Sequence, residues 1–277
     1  MAVTEIREFM GKKTAPCACG GTIVGYGNIM PPKCSKCLKD EQDERDAQER
    51  KREKDNQERR RKKARELFEK SFYTHLHRSG VPFRYLEASL KDFRGQQAGK
   101  PPAVIMGSTG CGKTHLAISH LSAHLWERMG GCLFVRMVDF LRELRASYDH
   151  QAGGSTEDHI LAKYKDVEFL VIDDWGAEKQ SEWVAQMLYD LIDYRYSNMK
   201  ITIITTNLNL QDFALVYGER MISRVQAMGG VANMKGRDRR PEFKDRTLSQ
   251  EVMDQINSVS RREGGENASE QAIDCWA

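Results

Sequence analysis

Four short apolar runs mark the middle of the chain: AVIM at 103–106, CLFVRM at 132–137, FLVID at 169–173 and ITIITT at 201–206. Each is too short for a typical helix, and glycine, proline, charged or polar residues stand at most of the ends. Each therefore reads as a strand buried on both faces. Between them apolar positions recur at intervals of three and four. That spacing predicts a helix from about Lys113 to Met129, another over DFLRELRASY, and a third from Glu182 to Tyr196. Strands alternating with helices predict an α/β fold, a parallel sheet flanked by helices, over residues 71–243.

Outside that zone the pattern changes. Residues 39–70, DEQDERDAQERKREKDNQERRRKKARELFEK, are mostly charged in mixed sign. Glu41/Arg45, Asp46/Arg50, Glu58/Lys62 and Glu66/Lys70 sit at i, i+4 with the acid first, which supports a helix. Apolar heptad positions are missing, which argues against a coiled coil. The segment is expected to be a solvated helical linker. Its run Arg59–Lys63 is either a phosphate-contact patch or simply a solvated face. Residues 244–277 turn polar and are expected to fray.

A chain of 277 residues holds one substantial domain and a smaller module. The net charge of +3 confines any nucleic-acid surface to a local patch. No stretch approaches ~18 consecutive apolar residues and MAVTEIREFM has no apolar signal core, so the expectation is a cytoplasmic protein without a membrane span.

The first strand runs into GSTGCGKT (107–114), which fits G-x-x-x-x-G-K-[ST]. Gly107, Gly110 and Gly112 let the backbone wrap so that successive N–H groups, with Ser108, Thr109 and Cys111 between them, face phosphate oxygens. The helix that follows adds its positive end. Lys113 reaches the β- and γ-phosphates and the Thr114 hydroxyl ligates Mg²⁺. The bound nucleotide is expected to be ATP.

The third strand ends in two acids. Asp173 is assigned to Mg²⁺ and Asp174 to the attacking water. Asp174 is one methylene shorter than the glutamate more common there, so turnover is expected to be slow or partner-dependent. The fourth strand ends at Asn207, whose amide is placed to orient the water beside the γ-phosphate.

GSTGCGKTHLA, FLVIDDWG, ITIITTN and GERMISRV, in this order, resemble the ATPase domain of DnaC-type helicase loaders, within the DnaC/IstB-like family of AAA+ ATPases. The resemblance covers about residues 75–243 and implies a P-loop NTPase fold of the AAA+/ASCE class without a full C-terminal lid. HRSGVPFRYLEASLKDF resembles the segment these loaders place near the adenine base. By the same resemblance Arg224 is a finger that completes the ATP site of a neighbouring copy, and Arg220 is its companion. A permanently charged planar guanidinium suits that task. MKGRDRR (234–240) resembles the segment carrying a second, cis-acting arginine, best matched by Arg240, with Arg237 and Arg239 close by. The implied partners are a replicative DnaB-type helicase, single-stranded DNA, and further copies of the chain in a ring or spiral. Single-stranded DNA would meet the region of Arg136, Phe140, Arg142, Arg145 and Tyr148, although the spacing of Phe140, Leu141 and Leu144 also fits a core face.

Cys17-x-Cys19 and Cys34-x-x-Cys37 supply four thiolates suited to a tetrahedral structural Zn²⁺, in a segment with too few large apolar side chains to fold without a staple. Residues 1–38 thus read as a zinc module. Some helicase loaders carry a zinc-containing N-terminal module that grips the helicase. That likeness implies helicase contact here, with DNA contact as the alternative. Two other functions fit the ATPase motifs: an IstB-like transposition helper acting on duplex DNA, and an adaptor that binds ATP without hydrolysing it.

Overall fold

The computed structural model describes residues 12–26, 31–93, 99–147, 157–176, 181–243 and 247–260. The chain divides into two units, Met1–Leu67 and Phe68–Ala277. In the first, β1 (Lys12–Pro16) and β2 (Thr22–Tyr26) form an antiparallel hairpin with register Lys12↔Tyr26 to Pro16↔Thr22. Helix α1 (Ser35–Glu69) follows. It contains no glycine, proline or β-branched residue and is rich in good helix formers, which accounts for its 35-residue length. Asp46 ties two of its turns together: its carboxylate accepts from Gln42 and its carbonyl from Arg50. Apart from Phe68, which belongs to the second unit, no side chain on this helix is buried. The module boundary expected at residue 38 falls inside α1, because Cys37 lies in its first turn.

The second unit opens with α2 (Phe72–Arg78) and two short 3-10 turns at Phe83–Tyr85 and Leu90–Asp92. Then come β3 (Val104–Gly107), α3 (Lys113–Arg128), β4 (Cys132–Arg136), α4 (Met137–Ala146), α5 (Glu157–Asp166), β5 (Phe169–Trp175), α6 (Glu182–Ser197), β6 (Ile201–Thr206), α7 (Leu210–Tyr217), α8 (Glu219–Gly229), β7 (Val231–Met234) and α9 (Gln250–Ser260). Every strand pairing in this sheet is parallel, and the order is β4-β5-β6-β3-β7. β7 is a fifth strand beyond the four expected, and β5 runs two residues further than FLVID. The polar tail expected at 244–277 contains α9, whose Val252 is fully buried and whose Gln255 accepts from the Tyr73 N–H (3.1 Å) and the Thr74 hydroxyl (3.2 Å).

Alternate side chains along the strands enter two different cores. Val104, Met106, Leu170, Ile172 and Ile204 pack with α4 to α8 on one face. Ile105, Phe134, Phe169, Val171 and Ile203 pack with α2, α3 and α9 on the other. Burial on both faces explains why the strands read as unbroken apolar runs. Among the described residues no helix is long and apolar enough to cross a membrane.

One charged side chain is built into this framework. Arg195, on α6, is completely buried. Its guanidinium donates to the carbonyls of Tyr164 (2.8 Å), Lys165 (3.1 Å), Val167 (2.7 Å) and Ile201 (2.6 Å), and to the Thr202 hydroxyl (2.8 Å). It thereby joins the end of α5 to the starts of β5 and β6. Burial pulls its pKa down to about 9, which leaves it charged at neutral pH. Arg195→Ala is expected to lower stability by about 3–5 kcal/mol, because it strands several buried carbonyls at once. Arg195→Lys should recover less than half, since three ammonium donors replace the planar fork of five. Urea midpoints of the two variants test this; a loss under ~1 kcal/mol for the alanine variant contradicts it.

Candidate functional site

The phosphate loop sits where β3 meets α3, with β6 and β7 on either side of β3. Ligands of open parallel sheets gather at such carboxyl ends. Gly107 is fixed by close approach: a Cβ there would lie 2.4 Å from the Met234 carbonyl oxygen and 2.9 Å from Cys111 Sγ. Cys111 is buried and fills space beneath the loop. Lys113 is also buried, and its ammonium donates to the carbonyls of Gly107 (3.0 Å) and Ser108 (3.0 Å) and to Asn207 Oδ1 (2.7 Å). The loop lysine and the amide at the end of β6 therefore meet directly.

Asp173 Oδ1 accepts from two hydroxyls, Thr114 Oγ1 (2.8 Å) and Thr205 Oγ1 (2.6 Å). Burial raises the Asp173 pKa, and the Thr205 and Thr114 hydroxyls oppose that rise. Asp174 is exposed, has φ 56°, and donates its N–H to Thr205 Oγ1 (3.0 Å). Thr109, Gly110, Gly112, Lys113, Thr114, Asp173, Asp174 and Asn207 all line one cleft of about 1590 Å³. Phe83, Tyr85 and Phe93, from the segment expected near the base, line it too. His115 Nε2 contacts Asp92 Oδ2 at 2.7 Å in the same wall.

The segment after β7 closes over the loop. Ser108 Oγ donates to the Gly236 carbonyl (3.3 Å), Arg239 N–H donates to the Gly110 carbonyl (3.0 Å), and Arg240 N–H donates to Asp238 Oδ1 (2.9 Å). Arg239 and Arg240 both line the cleft, whereas Arg237 does not.

Arg220 and Arg224 lie elsewhere, on α8, and neither lines the cleft. Arg224 Nε pairs with Asp193 of α6, its guanidinium lies 4.9 Å from the centre of the Tyr189 ring, and its Nη1 donates to the Arg220 carbonyl (3.5 Å). In the region expected to meet DNA, Phe140, Leu141 and Leu144 are core, while Asp139 pairs with both Arg136 (2.5 Å) and Arg142 (2.8 Å). Arg145 is exposed, and Tyr148 lies outside the described residues.

In the first unit the turn between β1 and β2 carries Cys17 and Cys19, Cys34 stands just before α1, and Cys37 lies in its first turn. The four sulfurs all lie within 4.8 Å of one another. Cys19 and Cys34 are 3.4 Å apart and Cys17 and Cys37 4.0 Å, around the ~3.8 Å expected between thiolates sharing a tetrahedral Zn²⁺. A Cβ at Gly21 would come within 3.2 Å of Cys34 Sγ and 3.3 Å of Cys19 Sγ, so this glycine lets the two knuckles close. The backbone N–H of Cys19 helps hold the Cys17 thiol down to about 6, while the side chains of Cys19 and Cys34 push Cys37 up to about 12. Four thiols gathered within 4.8 Å of one another, from two short knuckles, are a donor set that fits zinc.

Thr205 and Asp238 at the site, and Asp193 and Tyr189 beside Arg224, are residues that the sequence did not single out. His115 carried a signal, because it directly follows Thr114.

The profile of the family described as IstB-like ATP binding protein matches residues 37–228. The uncharacterized protein YdaV of Escherichia coli (strain K12) is 26% identical over 172 residues, covering 56% of this chain and 68% of that one. The replicative helicase loader DnaC of the same strain is 26% identical over 123 residues, covering 44% of this chain and 49% of the loader. This chain thus spans about half the length of that loader. A crystal structure of the DnaC helicase loader shares 27% identity over 56% of this chain and all of that one, with a TM-score of 0.46.

Proposed function

We propose that this chain, which belongs to the IstB-like ATP-binding protein family, is an ATP-dependent helicase loader that uses slow hydrolysis as an assembly and release switch. The observation that carries the reading is the convergence of Lys113, Thr114, Asp173, Asp174 and Asn207 on one cleft while Arg224 stays outside it. One copy supplies a cradle and acids, and its neighbour supplies a guanidinium. The likeness to a DnaC loader selects the task.

In this reading the amides of residues 107–114 and the Lys113 ammonium hold the triphosphate of ATP. Lys113 exchanges its carbonyl partners for phosphate oxygens and releases Asn207, whose amide then orients water. Thr114 and Asp173 hold Mg²⁺. When bound, that ion neutralises charge developing on the β- and γ-phosphates. Asp174, on the solvent side of the acid pair, polarises the attacking water. Arg240 follows the charge of the bound nucleotide from the cleft rim. Arg224 of a second copy, with Arg220 beside it, completes the site in a ring or spiral.

Cys17, Cys19, Cys34 and Cys37 hold structural Zn²⁺, and the module they staple contacts a replicative DnaB-type helicase. Single-stranded DNA runs along α4 near Arg136 and Arg142. Because nucleotide states bind these partners with different affinity, hydrolysis shifts the assembly toward release.

Zinc-loaded full-length protein is expected to retain a replicative helicase in the presence of ATP. Cys34→Ser should lose that retention while keeping ATP binding. A protein that ignores the helicase and instead, with ATP, coats duplex DNA would sink the loader reading in favour of a transposition helper.

A further inference from the structure

We infer that Thr205 is a positioning residue that holds the successive carboxylates of Asp173 and Asp174 on the same cleft. The inference rests on the hydrolysis reading above and deepens it.

In a regular strand, neighbouring side chains point to opposite faces. Asp173 and Asp174 are adjacent in β5, yet both line the cleft. The strand pairing shows how. β5 and β6 pair in step from Phe169↔Ile201 to Ile172↔Ile204, and the next recorded pair is Trp175↔Thr206. Two residues of β5, Asp173 and Asp174, therefore stand opposite Thr205 alone. This is a bulge, which re-aims a side chain and leaves a backbone group without its ladder partner. Asp174 has φ 56°, a left-handed conformation that is uncommon outside glycine, although aspartate tolerates it better than most residues.

Thr205 supplies the hold. Its side chain is fully buried, and its Oγ1 sits between the two acids. It accepts the Asp174 N–H at 3.0 Å and donates to Asp173 Oδ1 at 2.6 Å. A hydroxyl has one proton and two lone pairs, so both contacts form together without competition. The chain of bonds runs from the Asp174 amide through Oγ1 to the Asp173 carboxylate. The Thr114 hydroxyl reaches that same carboxylate oxygen from the phosphate loop. Removing the Thr205 hydroxyl would unfasten the bulge and free one side of Asp173, with no side chain lost from the cleft.

Thr205→Val keeps the branched shape and deletes the hydroxyl; Thr205→Ser keeps the hydroxyl and deletes a methyl. With full-length protein, steady-state ATP hydrolysis should show kcat reduced about 10–100-fold for the valine variant, as for loss of a hydrogen bond to a charged group. KM should change little at saturating Mg²⁺, the Mg²⁺ concentration for half-maximal rate should rise, and the serine variant should stay near wild type. Wild-type kcat and Mg²⁺ dependence in Thr205→Val would overturn the assignment. So would equal damage in the serine variant, which would point to packing. If the wild-type protein binds ATP but does not turn it over, the hydrolysis reading fails on its own. The ratio of MgADP to metal-free ADP affinity then decides Thr205: a drop in the valine variant supports it, and an unchanged ratio overturns it.

Discussion

Lys113→Ala is expected to cut ATP turnover roughly 10²–10³-fold, the loss seen when one pre-positioned charged or polar donor is removed from a reacting centre. The ammonium is buried, and its hydrogen bonds go to neutral oxygens: the carbonyls of Gly107 and Ser108 and the amide of Asn207. A buried cation hydrogen-bonded to neutral acceptors is held for an anion, because phosphate oxygens satisfy it better than carbonyls do. Its loss removes the cation that would meet the β- and γ-phosphates, so the expected damage falls on phosphate binding and on the charge that develops there. Stability should fall by about 1–3 kcal/mol, the cost of leaving the Gly107 and Ser108 carbonyls without this donor. Titration with a fluorescent ATP analogue, phosphate release and a melting curve together test this. Turnover within threefold of wild type in a folded Lys113→Ala protein removes the lysine from the site.

How much of this was legible depends on how local each feature is. The loop GSTGCGKT is eight consecutive residues, so the motif on which the phosphate-binding proposal rests is visible in the sequence without any long-range information. β3 to β6 were visible because burial on both faces demands unbroken apolar runs. β7 was not visible: Val231 and Asn233 are exposed, which leaves a four-residue strand without a continuous pattern. α9 was hidden for a related reason. It is held by Val252 and by the contacts of Gln255 with Tyr73 and Thr74, which lie more than 180 positions away in the chain. The same distance in sequence conceals the positioning residues. Thr205 reads as an ordinary strand-former in a run of two threonines, and its role depends on a bulge in another strand. Arg195 lies in a helical pattern, yet its partners are carbonyls at the end of α5, just before β5 and at the start of β6, together with the Thr202 hydroxyl. The arginine on α8 was legible by resemblance alone, and Asp193, its neighbour in the fold, was not.

Arg224→Ala is expected to leave ATP binding intact and to reduce turnover by about 10³-fold, at the lower end of what an arginine finger contributes. Two features support a role in trans. Arg224 does not line its own cleft, as the proposed action on a neighbouring copy requires. Its guanidinium is also held ready, paired with Asp193 and lying over the Tyr189 ring. A cation half-exposed on an aromatic face and matched to one carboxylate moves to a triphosphate at modest expense, because the new anion carries more charge than the old. The decisive measurement mixes two inactive proteins. Lys113→Ala protomers lack the cradle but keep the finger, and Arg224→Ala protomers lack the finger but keep the cradle. Where the two meet in one assembly, an intact cradle faces an intact guanidinium, and turnover should reappear above the sum of the separate variants. An Arg224→Ala protein with wild-type turnover, or folded mixtures that assemble and stay silent, would mean that Asp193 and Tyr189 hold the arginine for the fold and that each copy works alone.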